Sequence, residues 1–225
     1  MATINQLVSE IANALKQPDS VPLRAAIKLS IIHARNTIIR QSFEHHNYID
    51  KVLQQRYKIE LINVPDGDIK DSMGLIDTKI KRSKNKVPKP VRLTNNLPFH
   101  SIRTFGVENP LEIAFAKEAV SKFYAALPGF ANKITYDYIN GYLYINFFDD
   151  PDYSLINSII VESVFEYPTE IPIETNDGIA NYIDDDNEFL ISEDMVDSIK
   201  KLVLEEILAE TVKDTNEPNA INIIQ

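Results

Sequence analysis

Four short runs hold the side chains whose types and spacing could do chemistry. His45-His46 sets two imidazoles side by side, but neighbours on a helix point about 100° apart, so they do not chelate one ion as an i, i+4 pair would. A helix-end or surface role is expected for both. Asp149-Asp150-Pro151-Asp152 and Asp184-Asp185-Asp186-Asn187-Glu188 cluster carboxylates of the kind that hard cations and two-metal nucleases use. Neither has the glycine and distal glutamate spacing of a calcium loop. The expectation is therefore a negative surface made of Asp149, Asp150, Asp152, Asp184, Asp185, Asp186 and Glu188. The fourth run, KIKRSKNKVPKPVR over 79–92, carries seven cations (Lys79, Lys81, Arg82, Lys84, Lys86, Lys89 and Arg92) and two prolines without a carboxylate. Lysine-rich arms bind nucleic acid by releasing counterions. Here no aromatic is interleaved for base stacking and the whole chain has a formal net charge of −10, so protein contact is the expected use.

Other constellations are missing from the sequence. The six glycines are scattered singly, which leaves no Gly-rich phosphate loop, and there is no GxSxG elbow or HExxH pair. With no cysteine, disulfides, thiolate metal sites and cysteine nucleophiles are unavailable. No catalytic residue, cofactor or metal site is expected, and the chain is not read as an enzyme.

These runs must be positioned by elements that the hydrophobic pattern suggests. Ile4, Leu7, Ile11 and Leu15 recur at helical period until Gln17-Pro18-Asp19, which predicts a short amphipathic helix. A longer helix follows, with Ser20 as N-cap, Pro22 in the first turn and the stripe Leu23, Ile27, Ile31, Ala34, Ile38; it is expected to reach about Arg40, with a break or a further turn through His45-His46-Asn47 before a helical Tyr48–Arg56. YKIELINV then alternates with period two before Pro65-Asp66-Gly67, a strand and a turn. Pro88 and Pro90 make the basic run an extended arm or edge strand. A helix is expected from Pro110 to Leu127. ITYDYINGYLYINFF sets Asn140-Gly141 between alternating aromatic strands, the signal of a type I′ hairpin on which Tyr136, Tyr138, Tyr142 and Tyr144 would pair across the strands. SIIVESVFEYP is a further strand. Ser192 should cap a last helix with Glu193 and Asp194 in its first turn, and the tail beyond Lys213 has no period. The fold class is thus α+β: helical residues 1–56 (an N-terminal helical hairpin), a central antiparallel β-rich region 57–191 with one internal helix at about 110–127, a C-terminal helix 192–212 and an extended tail 213–225.

A chain of 225 residues with 44% hydrophobic side chains can bury a sizeable core. No stretch approaches the ~20 apolar residues of a membrane span and no leader pattern opens the chain, so a soluble, unexported protein is expected. Residues 1–148 carry 20 Lys and Arg against 13 Asp and Glu, net +7, whereas residues 149–225 carry 3 against 20, net −17. Copies of such a chain would attract one another head to tail.

RNTIIRQSFEHH near 35–46, KIKRSKNKVPKPVRL at 79–93 and SEDMVDSIKKLVLEEIL at 192–208 together resemble the neck ring (adaptor or connector) proteins of crAss-like podoviruses. The resemblance implies a structural virion protein of the portal-tail neck, assembled in the host cytoplasm. It would form a ring of about a dozen copies that docks on the portal or the next ring and lines the channel through which double-stranded DNA passes. In that setting residues 79–92 would cross to the acidic region of a neighbour, with Arg82, Lys84, Lys86 and Arg92 as contacts. The acidic loops would repel DNA phosphate, and Ile221, Ile223 and Ile224 would anchor the tail in an adjoining ring. Two other classes stay open: a nucleic-acid-binding accessory protein using the basic arm, told by salt-dependent DNA binding, and a metal-dependent nuclease using Asp184, Asp185 or Asp186, told by magnesium- or manganese-stimulated activity.

Overall fold

The computed structural model describes residues 2–68, 80–93, 99–106, 110–116, 134–147, 155–174, 180–182 and 184–216. The chain divides into two compact units, one of residues 1–53 and 184–225 and the other of residues 54–183. It is mixed α+β.

The first unit is helical. α1 (Ile4–Ala14) begins on a capping box, in which the Thr3 hydroxyl accepts from the Gln6 backbone N–H and the Gln6 side chain accepts from that of Thr3, so two of the amides every helix start leaves unpaired are satisfied. It buries Ile4, Leu7, Val8, Ile11 and Ala12, as its spacing requires. α2 (Val21–His46) starts at Ser20, whose backbone is extended but whose side chain makes no capping bond, and ends at Asn47, which adopts the left-handed conformation and returns its N–H to Phe43 O at 2.7 Å. The helix is thus longer than expected, and Tyr48–Arg56 does not resume it. Only Lys51–Leu53 make a single 3₁₀ turn, and from Gln55 the chain is committed to a sheet. α3 (Glu193–Asn216) carries Glu193 and Asp194 in its first turn, where carboxylates face the positive end of the helix dipole. Both α1 and α3 pack on α2.

The second unit is a sheet in the order β3-β7-β1-β2-β6-β5-β4, built from β1 (Gln55–Asn63), β2 (Ile80–Ser83), β3 (Ser101–Thr104), β4 (Ala114–Phe115), β5 (Thr135–Ile139), β6 (Tyr142–Asn146) and β7 (Ser158–Ser163). A separate ribbon pairs β8 (Pro172–Glu174) with β9 (Ala180–Tyr182). All pairs of the larger sheet are antiparallel except β4 with β5, which is parallel. Here the internal helix expected from Pro110 fails to start. Instead, Leu111–Ile113 lie along β3, with Ile113 N–H donating to Ile102 O at 2.8 Å and Thr104 N–H to Leu111 O at 3.0 Å, while Ala116 N–H reaches Tyr136 O at 3.0 Å beside β5. One short segment therefore joins both ends of the sheet and makes it barrel-like. Satisfying two open edges outweighs the weak helical preference of LEIAFA. The rest of the expected helix, 117–127, lies outside the described residues.

Asn140 (φ 52°) and Gly141 (φ 86°) both take positive φ, which is the type I′ turn their sequence predicts. The tyrosines, however, do not face one another. Ile139 stands opposite Tyr142, so Tyr138 meets Leu143, Asp137 meets Tyr144 and Tyr136 meets Ile145. A two-residue turn sets this register, which sends Tyr136 and Tyr138 to one face and Tyr142 and Tyr144 to the other. Tyr138 and Tyr136 pack edge-on against Phe99 at 5.2 and 6.2 Å between ring centres. Ile59, Leu61, Ile102, Leu143, Ile145, Ile159, Val161 and Phe165 fill the core, each contributing about 1.5–3 kcal/mol by leaving water.

Candidate functional site

In the helical unit the acidic run 184–188 is a turn seated on the start of α1. Thr3 bridges Glu188, Phe189 N–H donates to Ala2 O at 3.1 Å, and Asn5 N–H donates to Asp185 O at 3.3 Å. Asp185 pairs with Lys28 of α2 at 2.6 Å, Asp186 accepts from the Asn5 side chain, and Asp184 Oδ1 accepts from Asp185 N–H at 2.7 Å. α1 has no acidic residue in its own first turn. The distant loop therefore supplies the negative charge that the positive end of its dipole favours. Asp184, Asp186 and Glu188 stay exposed, so the run is a structural clasp that leaves three carboxylates at the surface. Among the described residues no group of three His, Cys, Asp or Glu side chains gathers as a metal site. Asp149, Asp150 and Asp152 lie outside the described residues, as do Lys79, Ile221, Ile223 and Ile224.

Behind that turn, Arg35 is fully buried. Its Nε donates to Leu190 O at 2.8 Å, its Nη1 to Asn36 Oδ1 at 3.1 Å, and the guanidinium stands 5.8 Å over the Phe189 ring. Burial disfavours its charge and lowers its pKa. His45 and His46 occupy the last turn of α2 with ring centres 6.4 Å apart. They border a cavity of about 460 Å³ lined by Ile38, Ile39, Leu53 and Met195.

The basic run lies differently from the expected arm. Ile80–Ser83 form β2, an inner strand between β1 and β6, and Lys81 is buried, donating to Ile156 O and Asn157 Oδ1 at 3.0 Å each. Burial lowers its pKa. The chain then crosses the end of the barrel. Val87 N–H donates to Gly141 O at 2.8 Å, Val91 N–H to Val164 O at 2.8 Å, and Glu166 N–H to Lys89 O at 2.9 Å, with Pro90 bridging Phe165. The prolines are placed where ladder amides are not needed, and Val87 and Val91 anchor the crossing by burial. Lys84 pairs with Glu60 at 2.7 Å and Lys89 with Glu166 at 3.0 Å, both near the surface. Lys84, Lys86, Lys89 and Arg92 all remain exposed. The six cations of the run that lie among the described residues thus separate into a buried strand and an exposed crossing.

No motif or spacing pointed to Asp68. Its Oδ1 accepts from the Tyr144 hydroxyl at 2.6 Å and its Oδ2 pairs with Arg82, whose guanidinium lies 4.3 Å over the Tyr142 ring. These residues are 14 and 76 positions apart, and no local spacing could have joined them. Burial, then the bond to Asp68, raises the Tyr144 hydroxyl to about 12. The carboxylate, phenol and guanidinium tie β2 and β6 to the end of the preceding loop as a structural pin, and among the described residues no group of three His, Cys, Asp or Glu side chains gathers as a metal site.

A family model described as phage tail ring protein 2 matches residues 6–222. The chain belongs to that family. The match takes in all of the second unit and nearly all of the first, so the ring protein is a structural component of a crAss-like phage virion, of the neck or tail. No curated protein matches the chain. No helix of the ring protein is, among the described residues, long and apolar enough to cross a membrane.

Proposed function

We propose that this ring protein assembles, in about a dozen copies, into a ring of the portal-tail neck that connects portal to tail and lines the channel for DNA. The match of a ring-protein family to residues 6–222 carries this reading. The charge distribution supports it: a +7 stretch over residues 1–148 and a −17 stretch over 149–225 suit contacts in which one patch on each subunit meets a different patch on the next. The exposed carboxylates Asp184, Asp186 and Glu188, with Asp149, Asp150 and Asp152, form a surface that repels phosphate and lets DNA slide. The exposed crossing 84–92 is the subunit-interface part of the basic run, and the tail holding Ile221, Ile223 and Ile224 docks on an adjoining ring. Assembly takes place in the host cytoplasm, with no cofactor and no catalysis. Mass measurement in solution, alone and with the portal oligomer of the same genome, tests this. A complete ring bound stoichiometrically to the portal is expected. A chain that stays monomeric and ignores the portal defeats the portal reading.

A further inference from the structure

A closed ring of identical subunits is held by heterologous contacts, so each copy must show its neighbours two different faces. α2 offers one. Along VPLRAAIKL, its first nine residues, Val21 is 76% and Leu29 55% exposed, and Pro22, Ala25 and Ala26 are exposed between them. The opposite side of the same helix buries Ile27 and Ile31. α1 keeps its apolar residues to one face, whereas α2 is apolar on two, the pattern of a helix packed on both sides. α3 offers the other face. It leaves Leu202 38% exposed, and the exposed carboxylates Glu205 and Glu206 stand three and four positions on, the neighbours of Leu202 on a helix surface.

The charges are complementary. The first half of α2 carries Arg24 and Lys28 and no carboxylate, Lys28 already pairing with Asp185 of its own chain, whereas residues 193–209 of α3 carry five carboxylates against two lysines. Because α2 packs on α3 within one chain, their solvent faces point away from each other. Setting α2 of one copy on α3 of the next therefore repeats the same helix layer around a ring, and the like-charged pairings α2–α2 and α3–α3 are disfavoured.

We propose that the solvent face of the first half of α2, centred on Leu29, docks on the solvent face of α3, centred on Leu202, of a second copy of this chain. The proposal rests on ring assembly and is independent of the portal contact. The chain has no cysteine, so single cysteines report the contact without background. Full-length Leu29→Cys and Leu202→Cys chains, alone and mixed, are assembled with the portal oligomer and treated with a short bis-maleimide. Crosslinked dimer is expected in the mixture and not in either variant alone, and a chain carrying both cysteines should give a ladder. Dimer formed by Leu29→Cys alone would mean an isologous contact and overturn the proposal. So would the absence of crosslink in the mixture, whether or not rings form on the portal. Crosslink without portal binding upholds the contact and sinks only the portal reading. As an independent readout, Leu29→Glu is expected to keep the wild-type circular dichroism and melting temperature, because the side chain is exposed. It should weaken association by about tenfold or more, since a buried unpaired charge costs above the 1.4 kcal/mol of one decade. Unchanged association of that variant also overturns the proposal.

Discussion

Asp68 shows how much can rest on one carboxylate. It is almost fully enclosed and holds a phenol and a guanidinium at once, so removing its charge leaves Arg82 buried without its anion. Asp68→Asn is expected to lower unfolding free energy by about 3 kcal/mol, read from denaturant unfolding followed by circular dichroism; a loss below about 1 kcal/mol would show that the pair merely breaks even with solvent. Tyrosines in this unit also give the fold an alkaline limit. Burial raises Tyr57 and Tyr136, and raises Tyr144 to about 12. A group whose folded pKa lies above its unfolded value of about 10 contributes stability that is fully present below pH 10 and is lost as pH rises through the folded value. The melting temperature should therefore be level through pH 9 and fall between pH 10 and 12, with Tyr144→Phe flattening part of the slope. A Tyr144→Phe profile superimposable on wild type would remove that tyrosine from the account.

Among the elements, the Asn140-Gly141 turn is the sharpest case of local chemistry dictating geometry. Gly141 needs φ 86°, and a Cβ there would sit 3.6 Å from the Lys86 side chain, ordinary contact. The cost of Gly141→Ala is thus conformational, about 1–2 kcal/mol, and thermal denaturation would measure it. The turn matters beyond the hairpin because Gly141 O receives Val87 N–H, tying the basic crossing to the end of the barrel. β2 is the opposite case. Its cations make IKRS read as surface, yet β1 and β6 enclose it because Lys81 finds two oxygen acceptors and Arg82 finds Asp68. Buried charge is tolerated where hydrogen bonds replace water.

For the whole molecule, that division decides how the basic run should be probed. Reversing Arg82 would break an internal pair, so loss of assembly would say nothing about an interface. Lys86→Glu with Arg92→Glu changes only exposed positions. This double variant is expected to fold with wild-type stability, within about 0.5 kcal/mol, and to lose ring formation at low salt, as measured by native mass spectrometry. Normal rings would dismiss the crossing as an interface. Wild-type assembly should also weaken as salt rises past about 0.15 M, where the screening length falls to about 8 Å.

The sequence by itself determined the segments in which one residue's neighbours settle its conformation. The heptad-like stripes of α1 and α2, the period-two run of β1, the Asn-Gly turn and the acidic start of α3 are such segments, and the likeness to phage ring proteins was legible in three short strings. Tertiary structure decided whatever needed a partner far along the chain. LEIAFA became the strip that closes the barrel because two sheet edges lacked a strand, and the acidic run became the clasp of α1 because a helix start lacked an anion. Asp68 found Arg82 and Tyr144 only once β2 and β6 lay side by side. Hydrophobic period and turn chemistry act over a few residues and can be read in order. Edge pairing, dipole neutralisation and buried ion pairs are satisfied by whichever group the folded chain brings near, and sequence order does not name that group.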